Sequence, residues 1–226
     1  MIILYFYFFL NMAFSREGYP DKNVAINFHQ GVGAVVKNSA CFPVTVSVNL
    51  KEIYVPSMGE VKLDSQSWGA WKWHPGKSGD SSARKMRSPL TNKDLPDFKE
   101  GEGAHQGKHV NSYDFSVPEG TQVLAMEAGI VIRIVQNFHE AHQDLKRLDE
   151  VNVIEVLHED GSLATYAHLK PQSVIPKLCE RIKTHQVLGL SGHNGFSSGP
   201  HLHVHLSRPD SSGNFYTIPL KFFSGQ

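Results

Sequence analysis

Between residues 121 and 206 the apolar residues come in short runs of four to seven, rich in Val and Ile and closed off by Gly, Pro, Asp or Ser. Runs of that length make strands and are too short for buried helices. They lie at 121–125, 129–135, 151–157, 163–166, 187–190 and 202–206, and predict an antiparallel β-domain. One hairpin is set by its turn, because Val153 to Leu157 and Leu163 to Tyr166 flank Glu159-Asp160-Gly161. Only residues 137–150 (NFHEAHQDLKRLDE), polar and free of Gly and Pro, read as a helix, inserted among the strands.

Upstream, Val44, Val46 and Val48 alternate with Thr45, Ser47 and Asn49, the pattern of a half-buried strand. Residues 73–96, rich in Gly, Ser, Lys and Pro, show neither period and read as a linker or long surface loop. Residues 1–10 (MIILYFYFFL) are almost wholly apolar, and Ala13-Phe14-Ser15 puts small residues where a signal peptidase reads. The expectation is a short export signal over 1–15, with a buried N-terminal segment or a misassigned start codon as the alternatives. A bilayer span needs about 20 apolar residues. No segment reaches that, so stable membrane insertion of the mature chain is not expected. The chain thus divides into the signal, a β-rich accessory domain over 19–87 with its linker, and a mainly β domain over 88–226.

Lys plus Arg (22) equals Asp plus Glu (22), so there is no basic field to hold a phosphate backbone, and nucleic acid is excluded as a partner. Thirteen His against two Cys point to imidazole chemistry and away from a disulfide framework or thiolate zinc finger. In an exported chain Cys41 and Cys179 can be bridged or free, and the sequence leaves both open.

The strongest local signal is residues 192–206 (GHNGFSSGPHLHVHL), where a Gly and Ser loop feeds a strand. His201, His203 and His205 share one face of it, and Leu202, Val204 and Leu206 the other. Same-face neighbours stand roughly 6.6 Å apart along a strand, close enough for one imidazole to hold a metal and the next to act on water beside it. Taken alone, the pattern is better explained by three surface His on an edge strand. A second candidate is residues 104–115 (AHQGKHVNSYDF), where two His precede Asp114, and imidazole with carboxylate is a common zinc donor set. A third is Tyr166-Ala167-His168-Leu169 at the hairpin's end. His139 and His142, three apart, do not form H-E-x-x-H, which needs spacing of four with Glu as base.

Together these stretches resemble the lysostaphin-like (LytM-like) zinc endopeptidases of peptidoglycan. The resemblance runs from about Gly101 to Leu206. Three motifs carry it: H-x-G, Asp-Phe and Pro-Glu-Gly-Thr-Gln-Val-Leu-Ala within 105–125; Tyr-Ala-His-Leu at 166–169; and Gly-x-x-Gly-x-Ser-x-Gly-Pro-His-Leu-His at 192–203. It implies an antiparallel β-sheet peptidase domain. It also implies one zinc per chain held by His105, Asp114 and His203, with the fourth position open to water and with His168 and His201 unligated and catalytic. The usual first motif is H-x-G-x-D, whereas Asp114 lies nine positions after His105. His105 keeps the following Gly107 and is preferred as first ligand, with His109 as the alternative; His205 is taken as a rim or surface residue. The implied substrate is a peptidoglycan peptide, met in the periplasm or outside the cell. Whether the bond is a direct D-Ala-diaminopimelate cross-link, weakly favoured, or a Gly-Gly bridge stays open. The alternative function is a non-catalytic regulator of other wall hydrolases with the same fold. The N-terminal domain is expected to modulate access to the cleft and to take no part in the chemistry.

Overall fold

The computed structural model describes residues 24–29, 33–38, 41, 44–48, 51–55, 57, 60–63, 71–75, 82–91, 98–100, 110–209 and 215–223. Two compact units divide after Pro75. In the first, β1 (Val24–His29), β2 (Gly33–Asn38) and β5 (Glu60–Leu63) form one antiparallel sheet in the order β1-β2-β5. Strands β3 (Val44–Val48), β4 (Lys51–Val55) and β6 (Trp71–Pro75) form another in the order β4-β3-β6. The strand read from the Val44 alternation is β3.

The second unit is built on one antiparallel sheet. Its members are β8 (Phe98–Glu100), β9 (Ser112–Phe115), β11 (Gly129–Val135), β13 (Val153–Leu157), β14 (Leu163–Ala167), β15 (Arg181–Ile182), β18 (Leu202–Pro209) and β19 (Phe215–Ile218). The order is β15-β11-β13-β14-β18-β9-β8, and β19 takes over the edge of β18 where β9 ends. Smaller pairs complete the unit: β10 (Gln122–Leu124) with β16 (Val187–Leu190), antiparallel, and β7 (Arg84–Arg87) with β20 (Leu220–Phe223), parallel. The mainly β, antiparallel reading therefore holds. The expected hairpin is β13 and β14, with Leu157 opposite Leu163 and Gly161 at φ +83° in the turn.

Register decides which side chains face the core. Rows such as Ile154, Tyr166, Val204 and Tyr113, and next to it Val156, Ala164, Leu206 and Ile218, run across neighbouring strands on one face and are all buried. Residues one step along each strand face the other way. Tyr113 and Phe115 meet Phe222 edge-on at 5.2 and 5.3 Å between ring centroids. The Tyr113 hydroxyl donates to the Leu220 carbonyl (3.1 Å) and accepts the Leu220 N–H (2.9 Å), tying β9 to β20.

Two expectations are corrected. Residues 137–150 form no α-helix: they hold β12 (Ala141–His142), which runs parallel to β17 (Gly195–Phe196), and a single 3-10 turn over Leu145–Arg147 capped by Asp144. Helix propensity loses here because Leu145 and Leu148 stay exposed, with no core to pack against, while the backbone of the segment finds partners elsewhere. The Phe138 N–H and carbonyl go to the Asn152 side chain, and the Glu140 and His142 carbonyls take the Gly195 and Ser197 N–H groups. The stretch over 73–96 is not all loop either, since it contains the end of β6 and all of β7.

His158 is buried, and its Nδ1–H donates to the Ala128 carbonyl at 2.9 Å. Burial is the main cause that holds its pKa below the ordinary histidine value. The unfolded chain binds a proton here below about pH 6.5 and the folded chain resists it, so this contribution to stability is full above that pH and fades as pH falls. Denaturant melts at pH 7.5 and 5.5 check this. The expected slope from one such group is at most about 1.4 kcal/mol per pH unit, and His158→Gln should show a shallower loss than the unaltered chain.

Candidate metal and catalytic site

The face of the sheet opposite the core carries the candidate residues. Strand β18 sets His203 directly opposite Asp114 of β9 on one side and Ala167 of β14 on the other. Leu202 and Val204 are fully buried on the core face, so His203 cannot turn inward without exposing them. Asp114 Oδ1 and His203 Nδ1 lie 2.8 Å apart, and His201 Nε2 is 3.8 Å from the same oxygen. His168, one residue past β14, has its ring centroid 4.3 Å from that of His201, tilted by 47°, and 6.0 Å from that of His203, edge-on. Four of the five residues singled out in the sequence thus converge. His105, and its alternative His109, lie outside the described residues.

Hydrogen bonds fix which nitrogen each ring offers. His168 Nδ1 is 2.7 Å from the Asn194 carbonyl and His201 Nδ1 is 2.8 Å from the Gly199 carbonyl. A carbonyl only accepts, so in both rings Nδ1 carries the hydrogen and Nε2 the lone pair. Ser197 Oγ adds a contact to His201 Nδ1 at 3.3 Å. Burial, and then the neighbouring His201 and His203, pull the His168 pKa down to about 3. Burial therefore favours the neutral form of this ring.

The expectation that His205 is a rim residue is corrected. It is buried, and its Nδ1 is 3.0 Å from His203 Nε2. The reason is topological: β18 is flanked by both β14 and β9, so the His face is interior to the sheet, and His205 sits between Thr165 and Ser112. Asn152 and Asn194 were also not picked out in the sequence. Each is fully buried beside His168, and no spacing rule marks them.

Among the described residues no group of three or more His, Cys, Asp or Glu stands as a ready metal site. Two zinc-type donors, Asp114 Oδ1 and His203 Nδ1, do meet. If His203 gives its Nε2 hydrogen to His205, its Nδ1 lone pair faces a carboxylate, and a shared cation relieves that repulsion. The described part of the donor set therefore fits zinc.

A carboxylate and three imidazoles thus converge on one face of an antiparallel sheet. Residues 108–214 match the model of Peptidase family M23. The match begins after His105 and includes His109. The chain is 29% identical over 119 residues to an uncharacterized metalloprotease of Buchnera aphidicola, covering 53% of this chain and 25% of that protein. It is 30% identical over 96 residues to the peptidoglycan DD-endopeptidase ShyA of Vibrio cholerae, covering 42% of this chain and 20% of that one. It spans at most a quarter of the length of these two relatives. Among solved structures it is similar to lysostaphin from Staphylococcus simulans, with a TM-score of 0.38 and 23% identity over 53% of this chain and 46% of that one.

Gly192 links the two halves of the site. Its N–H donates to the His168 carbonyl at 2.8 Å, and it bridges to His201. A Cβ here would lie 2.7 Å from Lys170 Cα and N, which are backbone atoms that must move, whereas a Cβ at Gly199 meets nothing within 4 Å. Gly192→Ala is expected to cost about 1–3 kcal/mol of stability by overpacking, and Gly199→Ala much less. Denaturant melts of the two variants check this.

Proposed function

We propose that the chain is a zinc-dependent endopeptidase that hydrolyses peptide cross-links of bacterial peptidoglycan. The observation that carries the reading is the register pairing of Asp114 with His203, with the His168 and His201 rings beside it. Asp114, His203 and His105 hold the metal, with His109 the alternative to His105. When bound by these residues, zinc would supply an activated water and polarisation of the peptide carbonyl. His168 and His201 each present an Nε2 lone pair backed by a carbonyl-anchored Nδ1–H, the form that takes a proton from an attacking water. Once protonated, the same ring can return that proton to the departing amine. The anchored Nδ1–H fixes the ring's direction, so little reorganisation is needed as the proton moves.

The substrate follows from the M23 match and from the name of the Vibrio relative, a peptidoglycan DD-endopeptidase. That name agrees with the direct cross-link as the bond cut. The apolar run at residues 1–10 supports export to the periplasm or beyond. Among the described residues no helix is long and apolar enough to cross a membrane.

The full chain is expected to bind about one zinc. Asp114→Ala and His203→Ala should lose it, and metal analysis of His105→Ala and His109→Ala decides the first ligand. His168→Ala and His201→Ala should keep zinc while turnover of purified wall fragments, followed by mass spectrometry, falls about a hundredfold or more. Retention of zinc in all four ligand variants, or normal turnover in both base variants, overturns the proposal.

A further inference from the structure

We infer that Asn194 and Asn152 form a positioning pair that holds His168 in its working geometry; this rests on the catalytic reading of His168. The backbone of His168 is left-handed, at φ +60°, in a residue with a Cβ. A conformation of that kind is strained and persists only where its surroundings enforce it.

The enforcement is a closed circuit of hydrogen bonds. The His168 ring donates to the Asn194 carbonyl at 2.7 Å. The side chain of the same Asn194 accepts the Asn152 N–H through Oδ1 (2.9 Å) and donates through Nδ2 to the carbonyl of Leu169, the neighbour of His168 (2.7 Å). Asn152 Nδ2 reaches that carbonyl too, at 2.9 Å, and also the Phe138 carbonyl at 2.8 Å, while its Oδ1 takes the Phe138 N–H at 2.9 Å. Reversing either amide would set donor against donor, so the orientation of both is determined. Both residues are 0% exposed. Every side-chain polar atom of the pair thus has a partner in a medium where such bonds are strong.

The circuit explains why the ring offers Nε2. Its Nδ1–H has an acceptor whose own residue is held by two further bonds, and the His168 carbonyl is held by the Gly192 N–H. Asn152 also fastens Phe138, where the 137–150 insertion begins. Asn194 bonds the His168 ring, and both asparagines bond the carbonyl of Leu169 beside it. They act through His168.

The test uses the full chain with Asn194→Ala, which removes both side-chain bonds, and Asn194→Asp, which keeps the acceptor for Asn152 and loses the donor to Leu169. Nitrogen-15 NMR of the histidine rings, with His168 assigned by its absence in His168→Ala, reads tautomer and Nδ1–H exchange in metal-free protein. The unaltered chain should show one neutral tautomer with a slowly exchanging Nδ1–H. In the variants that hydrogen should exchange faster, and kcat should fall about tenfold or more with KM and bound zinc unchanged, as for a misplaced group. Unchanged kcat and an unchanged ring signal in a folded variant overturn the inference. If Asn194→Ala does not fold, Asn194→Asp decides by the same two readouts. Full turnover in zinc-loaded His168→Ala would sink the catalytic reading separately, and the ring signal would still judge whether the pair fixes His168.

Discussion

The register of β18 against β9 and β14 is the constraint from which the site follows. Because side chains alternate along a strand, a slip of one residue would send His203 and His205 into the core and bring Leu202, Val204 and Leu206 to the site face. All three of those apolar residues are fully buried. At about 25 cal/mol per Å² of apolar surface removed from water, exposing them would cost several kcal/mol, a large share of the stability of an ordinary domain. The same apolar packing that folds the sheet therefore holds Asp114 across from His203.

How much of this was legible in the sequence depended on whether the signal was local. Strand alternation and the Glu159-Asp160-Gly161 turn are local, and β13, β14 and β18 were readable from them. The four converging residues Asp114, His168, His201 and His203 were readable through their motifs. The fate of residues 137–150 was not, because what prevents a helix there is a set of bonds to Asn152, Gly195 and Ser197, which are distant in sequence or carry no marker of their own. His205 was misread for a related reason. Its spacing says only that it shares a face with His203; whether that face lies at an edge depends on β9 pairing from some ninety residues away.

The buried polar row one step back from the ligand row was also invisible to sequence reasoning. Arg133, Glu155, Thr165, His205 and Ser112 lie opposite one another across five strands. Glu155 is 1% exposed and paired with Arg133 at 3.3 Å, which offsets the cost of burying its charge. Polar residues so placed keep the strand alternation, and Glu155, Thr165, His205 and Ser112 are nevertheless buried on the side away from the core. Their presence marks a face organised around hydrogen bonds and charge, set against an apolar face that supplies the folding energy.

One residue type serves distinct roles here because of what is bonded behind each ring. In His168 and His201 a backbone carbonyl takes Nδ1–H, leaving the lone pair on Nε2. In His203 the arrangement is turned round, with Nδ1 beside Asp114 and Nε2 beside His205. An imidazole cannot be both a metal donor and a base through the same lone pair. Division of labour among neighbouring rings therefore has to be imposed by their second nitrogens, and backbone carbonyls are well suited to this, since they cannot donate and do not titrate. That is why the loops carrying Gly199 and Asn194 matter as much to the site as the histidines they orient.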